Sequence, residues 1–110
     1  MKRNYATLTN YELADSMFKR ALGIMFRERI SRPMLFVFPY TGRISIHSFF
    51  CPLFDAVFLD SRKRVIEIHE RIPPGRMITS DGQSRYLIEL PPGAAARMRL
   101  KKGTVIKFGR

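Results

Sequence analysis

Apolar residues near the start of the chain recur with the period of a helix. Counted from Ala14, they stand at i, i+3, i+4, i+7, i+8, i+11 and i+12, which are Ala14, Met17, Phe18, Ala21, Leu22, Met25 and Phe26. This spacing places them on one face of a helix. Gly23 can end such a helix, because glycine tolerates the left-handed conformation of a C-terminal cap. We therefore predict an N-terminal helix from about Leu13 to Leu22.

The remaining apolar segments are short, and they are wholly apolar or alternate with polar residues, which is typical of strands. The predicted strands cover residues 34–40, 43–50, 54–59, 64–72, 86–90 and 104–108. The clearest hairpin joins 54–59 to 64–72 through the polar turn Asp60-Ser-Arg-Lys63. We also expect the segment 43–50 to pair with Met34–Phe38, because only a Thr41-Gly42 turn separates them.

The C-terminal third adds turns and a short helix. Residues 79–84 read as a loop, and each of the two Pro-Pro-Gly sequences, 73–75 and 91–93, reads as a turn. Residues 94–100 are good helix formers and predict one or two helical turns. The whole chain, residues 1–110, is then a single domain of the mainly β class. We expect a small β-sandwich or barrel with one N-terminal helix and a short helical turn near the C-terminus.

Five blocks of the chain stand in an order that is known from one family. They are Arg20–Arg27, Pro33–Phe38, Ile46–Phe50 together with Phe54–Asp60, Tyr86–Gly93 and Lys102-Gly103. In this order they resemble the domain of unknown function 192 family of bacterial and archaeal proteins, over about residues 8–108. The resemblance implies a compact, mainly β sandwich or barrel with minor helices. It implies no activity, because the family brings none that is assigned.

The charge of the chain points to negatively charged partners. Twenty Lys and Arg face nine Asp and Glu, which gives a net charge of +11. Such a field favours nucleic acid or an anionic small molecule, although a basic surface can also serve solubility alone. After Glu89 the chain carries cations and no acid. The anion-binding candidates in this part are Arg97, Arg99, Lys101 and Lys102.

We expect the segment 43–60 to border any small-molecule site, because it combines reactive side chains with an apolar setting. It holds one of the two histidines, the only cysteine, four phenylalanines and two aspartates. A pocket could form if its side chains met the second histidine at the mouth of a small β domain. The ligand-binding candidates are His47, Phe49, Phe50, Cys51, Asp55 and His69. The structural alternative is that the histidines lie on sheet surfaces and that Cys51 is a small buried hydrophobe.

Neither a metal site nor a catalytic site is indicated by the sequence. His47, Cys51 and His69 are too few for a zinc pattern, so we predict no metal and no cofactor. The enzymatic alternative is a small hydrolase or transferase that uses Cys51 or Ser48 as nucleophile and His47 or His69 as base, but no local signature supports it. We therefore predict no catalytic residue.

The expected setting is a reducing compartment. With Cys51 as its only cysteine the chain cannot form an internal disulfide, which suits the cytoplasm. We expect no membrane association, since no apolar run approaches a membrane span and residues 1–10 lack the apolar core of a signal peptide. The leading hypothesis is a non-enzymatic cytoplasmic binding domain for an anionic ligand. The alternatives are the small hydrolase or transferase and a structural partner in a larger assembly.

Overall fold

The computed structural model describes residues 4–15 and 23–108. Over these residues the protein is mainly β, in several sheets. The strands are β1 (Tyr5–Leu8), β2 (Glu12–Ala14), β3 (Met34–Gly42), β4 (Ser45–His47), β5 (Phe54–Leu59), β6 (Val65–Ile72), β7 (Met77–Thr79), β8 (Ser84–Leu90) and β9 (Val105–Phe108). The only helix in the described ranges is α1 (Ala94–Arg97). No helix in these ranges is long and apolar enough to cross a membrane.

A five-stranded sheet in the order β2-β3-β8-β5-β6 forms the centre of the molecule. Its middle strand, β8, is antiparallel to both neighbours, and β2 is parallel to β3. All six residues of β5 are buried, which fits a nearly continuous apolar sequence with cover on both faces. Because β2 and β6 are edge strands, this sheet does not close on itself, and the barrel alternative is wrong.

Two apolar clusters cover the two faces of this sheet. The first contains Phe36, Phe58 and Leu87, and it is completed by Ile24 and by Ile44 from the segment before β4. The second contains side chains from the opposite face of the same strands, together with Leu8 of β1 and Ile106 of β9. Strand β1 pairs in parallel with β9, and β4 pairs antiparallel with β7. The sheet is therefore a middle layer between two smaller groups of elements.

Most of the strand predictions and the C-terminal helical turn are confirmed. The 54–59 and 64–72 segments form the β5–β6 hairpin, and the strands 34–40, 86–90 and 104–108 are present with small shifts at their ends. Asp60 explains why the hairpin turns where it does. Its Oδ1 accepts hydrogen bonds from the backbone N–H groups of Arg62 and Arg64, both at 2.9 Å. A side chain that bonds its own turn in this way favours that local conformation.

The predicted strand 43–50 is largely wrong, and so is its pairing with Met34–Phe38. Only Ser45–His47 is a strand, and it pairs with β7. After His47 the chain leaves the extended conformation because Ser48 ties it to another loop. The Ser48 hydroxyl donates to the carbonyl of Pro73 at 2.6 Å and accepts from the N–H of Arg76 at 2.8 Å.

The start of the predicted N-terminal helix is also wrong. Leu13 and Ala14 belong to β2, where Leu13 lies opposite Leu35 and Ala14 opposite Phe36. The rest of that prediction, residues 16–22, lies outside the described residues. The strand β2 forms because it pairs in parallel with β3. It was not predicted, because a strand of three residues is too short to show a period of its own.

Candidate binding pocket around Glu89

A cavity of about 340 Å³ lies on the face of the sheet that β4 covers. Its wall is mostly apolar, with a carboxyl, a thiol and an imidazole among the side chains. In the described ranges it is lined by Gly23, Ile24, Phe36, Phe38, Ser45, Ile46, His47, Cys51, Leu87 and Glu89. An apolar wall with a few polar groups is the usual composition of a small-molecule site.

Glu89 supplies the only carboxyl of this wall among the described residues. It lies on the central strand β8, opposite Met34 of β3 and Ala56 of β5, and the residue is only 5% exposed. Within the described structure its Oε1 atom has no hydrogen-bond partner. A buried polar atom of this kind is rare and calls for an explanation, such as a catalytic role or an unseen partner.

Burial also changes the ionisation of Glu89. It raises the pKa of this carboxyl from 4.5 to about 8, and the positive charge of Arg27 opposes the rise without cancelling it. Arg27 is already engaged, because its guanidinium donates to both carboxylate oxygens of Glu12, at 2.6 and 3.1 Å. The carboxyl of Glu89 is therefore mostly protonated at neutral pH and can both donate and accept a hydrogen bond.

Gly23 leaves the approach to this carboxyl open. Its φ of +49° is a left-handed conformation that side chains other than glycine rarely adopt. A Cβ atom at this position would lie 3.2 Å from Cζ of Phe36 and 3.6 Å from Oε1 of Glu89. A side chain here would extend towards the carboxyl, so glycine helps to keep the cavity empty.

Cys51 lines the same cavity as an inert thiol. Its Sγ faces the backbone carbonyls of Phe49, at 3.5 Å, and of His47, at 4.0 Å. Burial, and secondly the negative charge of Glu89, raises the pKa of the thiol to about 11. A nucleophilic cysteine needs the opposite shift. The environment of Cys51 therefore fits the predicted alternative of a small buried hydrophobe.

His47 reaches the cavity from β4. Its Nδ1 accepts a hydrogen bond from the N–H of Phe49 at 3.2 Å, and its ring stacks on that of Phe49 with 5.5 Å between centroids. In the neutral ring this bond places the proton on Nε2, which is then available as a donor.

Phe49 and Phe50 lie outside the lining of the cavity. They are 44% and 69% exposed. Phe50 has a φ of +60° and stacks on Phe26, which is 72% exposed, at 5.3 Å between ring centroids. The N–H of Phe26 donates to the carbonyl of Phe50 at 2.6 Å. This aromatic pair fixes the turn next to the cavity and projects into solvent.

Asp55 and His69 lie elsewhere. Asp55 is fully buried, and its two oxygens accept hydrogen bonds from the backbone N–H groups of Arg71 and Ala95, at 2.9 and 3.0 Å. His69 bonds Glu67 at 3.0 Å and lines a separate groove of about 430 Å³ beside β6 and β7. Of the six predicted ligand-binding residues, the structure thus brings His47 and Cys51 to the cavity around Glu89.

The four predicted anion-binding residues are all exposed and lie beyond this cavity. Arg97 is in α1, and Arg99, Lys101 and Lys102 follow between α1 and β9. The backbone N–H of Lys101 donates to Oγ1 of Thr104 at 3.1 Å, which shapes the turn. Among residues 4–15 and 23–108 there is no group of three or more His, Cys, Asp or Glu that could hold a metal ion.

Glu89 and Gly23 were missed as site residues from the sequence. Glu89 did carry a signal, because it is the only charged residue in the strand predicted over 86–90. Such an acid can face solvent, be bonded within the fold as Asp55 is, or line a cavity as Glu89 does, and the sequence does not distinguish these outcomes. Gly23 was interpreted only as a helix cap, and no sequence signal linked it to Glu89.

The comparisons with known proteins agree on one family. The family model described as "Uncharacterized ACR", the domain of unknown function 192, matches residues 1–108. A UPF0127 protein of Pyrococcus horikoshii is 37% identical over 99 residues, which cover 87% of this chain and 84% of the relative. A UPF0127 protein of Thermococcus sibiricus is 33% identical over 100 residues, and the match covers 88% of this chain and 64% of the relative.

Two crystal structures share the fold. One is of a Sinorhizobium meliloti protein that carries a provisional name as a transcription regulator, with a TM-score of 0.78 and 28% identity over 84% of this chain and 76% of that one. The other is a protein of unknown function from Novosphingobium aromaticivorans, with a TM-score of 0.78 and 24% identity over 84% of this chain and 70% of that one.

Proposed function

Because the chain belongs to the domain of unknown function 192 family, which has no assigned activity, we propose its function from the pocket itself. The protein is a non-enzymatic binding domain for a small, largely apolar molecule that carries an uncharged donor–acceptor group, such as an amide or a lactam. The cavity around Glu89 is the binding site.

The observation that carries this proposal is the unpartnered Oε1 atom of Glu89. Leaving a buried polar atom without a hydrogen bond costs about 1–3 kcal/mol, so the folded protein gains when a ligand supplies the partner. A protonated carboxyl donates one hydrogen bond and accepts another, and an amide offers the same two groups in the reverse order.

The rest of the cavity fits the apolar part of such a ligand. Phe36, Phe38, Ile46 and Leu87 supply its apolar wall. A volume of about 340 Å³ lies at the lower end of the range for small-molecule sites, which suits a ligand of modest size.

A charged ligand fits this cavity less well. An anion would approach a carboxyl that ionises at about pH 8, and a cation would have to enter a chain with a net charge of +11. Binding of anions therefore remains a prediction from the net charge, and this cavity does not support it.

A binding role agrees with the inert environment of Cys51, since a thiol with a raised pKa is a poor nucleophile. The proposed compartment is the cytoplasm, where a single unpaired cysteine remains reduced.

The proposal is tested by calorimetric titration with ε-caprolactam, an apolar ring that carries one amide. Hexylamine and hexanoate provide a cation and an anion with a similar apolar part. We expect the lactam to bind best, and to lose affinity as the pH rises through 8 and Glu89 loses the donated proton. N-methylcaprolactam, which cannot donate, should bind more weakly by about tenfold.

Substitution of Glu89 separates the hydrogen bonds from the charge. Glu89→Gln keeps a donor and an acceptor, so it should still bind the lactam, with no pH dependence near 8. Glu89→Leu should abolish binding, whereas Glu70→Gln, an exposed control on β6, should change nothing. Tighter binding of hexylamine than of the lactam, or lactam binding to Glu89→Leu, would contradict the proposal.

A second candidate function is nucleic-acid binding by the basic surface. It is favoured by the net charge of +11 and by the provisional name of the Sinorhizobium meliloti protein. If about six cations contact phosphates, the logarithm of the affinity for single-stranded DNA should fall against the logarithm of the salt concentration with a slope of roughly −4. A slope near zero would exclude this mode.

A further inference from the structure

We propose that Arg71 and Arg97, which face each other across Gly93, form a site for the phosphate group of a small phosphomonoester. This site shares no lining residue with the cavity around Glu89. The proposal therefore stands independently of the function proposed for that cavity.

The two guanidinium groups are close together. A Cβ atom placed on Gly93 would lie 3.0 Å from Nη1 of Arg97 and 3.1 Å from Nη2 of Arg71. Because both distances end at one point, these two nitrogens are no farther apart than about 6 Å. Two nitrogens within this distance can be bridged by a phosphate group on their solvent side, because its terminal oxygens can each accept a charge-assisted hydrogen bond.

The fold holds both arginines in this arrangement through one buried carboxylate. Asp55 accepts hydrogen bonds from the backbone N–H groups of Arg71, near the end of β6, and of Ala95, in α1. Arg97 lies one half-turn further along α1. The φ of Arg71 is +50°, so the buried bond to Asp55 maintains a backbone conformation that is unfavourable for arginine. Asp55 is thus a positioning residue, and its side chain does not neutralise the two cations by a salt bridge.

Neither arginine forms a salt bridge with an acid in the described part of the chain. The salt bridges found there involve Arg27, Arg32, Arg64 and His69. Nη1 of Arg97 only approaches the carbonyl of Pro92, at 3.5 Å. Two like charges this close repel each other, and a bound anion removes that repulsion.

The chemistry of the pair favours phosphate over a carboxylate. Two guanidinium forks carry two positive charges, which match the dianion of a phosphomonoester, and its three terminal oxygens can serve both forks. Gly93 has a φ of +84° and no side chain, so both guanidinium groups can pack closely on the second Pro-Pro-Gly turn and come near each other.

The groove beside β6 and β7 provides room for the rest of the ligand. It measures about 430 Å³ and is lined by Arg71, Arg76 and His69, with Ile68 and Ile72 among its apolar members and Glu70 as its acid. Because Arg71 belongs both to this groove and to the pair, a phosphate at the pair would direct its organic part along the groove.

The test is a calorimetric titration of the full chain with phenyl phosphate, with inorganic phosphate and benzyl alcohol as the two halves of the probe. Arg71→Gln and Arg97→Gln remove one fork each. Arg62→Gln, an exposed position in the β5–β6 turn, is the control with the same change of net charge. We expect saturable binding of phenyl phosphate that each fork variant weakens by about tenfold or more, while the control stays within about twofold.

Arg71→Lys is the control for loss of binding that results from a folding defect in Arg71→Gln. It keeps the charge and loses the fork, so it should bind phenyl phosphate more weakly than the parent, though less weakly than Arg71→Gln, while unfolding at the temperature of the parent. The proposal is overturned if phenyl phosphate shows no saturable binding to the parent chain. It is also overturned if Arg62→Gln weakens binding as much as the fork variants do, or if only an oligonucleotide binds, since then the net charge acts and not the pair. Lactam binding should be unaffected by the fork variants.

Discussion

The buried carboxyl of Glu89 makes the stability of the fold depend on pH in a direction that can be worked out. In the folded protein its pKa is about 8, against 4.5 for the same group in ordinary surroundings. Below pH 4.5 the carboxyl is protonated in both states and contributes no pH dependence. Between 4.5 and 8 the unfolded chain releases this proton while the folded chain retains it, so stability falls as the pH rises.

The size of this loss follows from the difference between the two pKa values. One pKa unit corresponds to about 1.4 kcal/mol, so the full effect of Glu89 is roughly 5 kcal/mol once the pH exceeds 8. Glu89→Gln cannot ionise and lacks this term. Its free energy of unfolding should therefore exceed that of the parent by an amount that grows with pH up to about 8 and then stays constant.

Urea unfolding of both proteins between about pH 5 and 9 measures this difference directly. Other titrating groups are shared by the two chains, so their contributions cancel in the comparison. Glu70→Gln removes an exposed acid and should run parallel to the parent across the range. If the difference between the parent and Glu89→Gln stayed flat from pH 5 to 9, the reasoning on burial of this carboxyl would be refuted.

Three further predictions concern residues around the two sites. At pH 8 the thiol of Cys51 should react with a disulfide reagent about 100-fold more slowly in the folded protein than in urea, because its raised pKa leaves little thiolate; equal rates would contradict this. Asp55→Ala should lower the free energy of unfolding by about 3 kcal/mol or more, since it removes the acceptor of two backbone hydrogen bonds. Asp55→Asn should lower it by less. An unchanged urea unfolding curve for Asp55→Ala would count against the positioning role. Gly23→Val should weaken lactam binding and lower the melting temperature, because the new side chain approaches Oε1 of Glu89 and the backbone keeps its φ of +49°; unchanged affinity would show that ligands enter elsewhere.

Sequence patterns over a few residues were sufficient to predict the elements whose main contacts lie within the same segment of the chain. The β5–β6 hairpin was predictable because two apolar segments flank a polar turn, and Asp60 bonds the backbone of that same turn. The strand β8 and the turn of α1 likewise follow from composition over a few residues. The sequence therefore predicts which elements carry Glu89 and Arg97, but it does not predict the contacts that those residues make.

The partner of each strand and the exposure of single side chains could not be predicted from local sequence patterns. The segment after β3 turns away from it because Ser48 bonds the loop of Pro73 and Arg76, which lies more than 20 residues further along the chain. Phe50 is exposed although its neighbours in the sequence are apolar, since its turn has a positive φ and its ring stacks on Phe26. Both features are set by contacts between distant segments, which no local period encodes.

Two buried acids show why sequence alone could not choose the site. Asp55 and Glu89 lie on the neighbouring strands β5 and β8, one register position apart, and both stand in apolar runs. Each oxygen of Asp55 accepts a backbone N–H, so its burial is compensated inside the fold. Oε1 of Glu89 has no such partner in the described structure, and a leucine at that position would avoid the cost of burying a carboxyl. A partner from outside the chain would compensate it, which is why we propose the binding site at Glu89 and give Asp55 an architectural role.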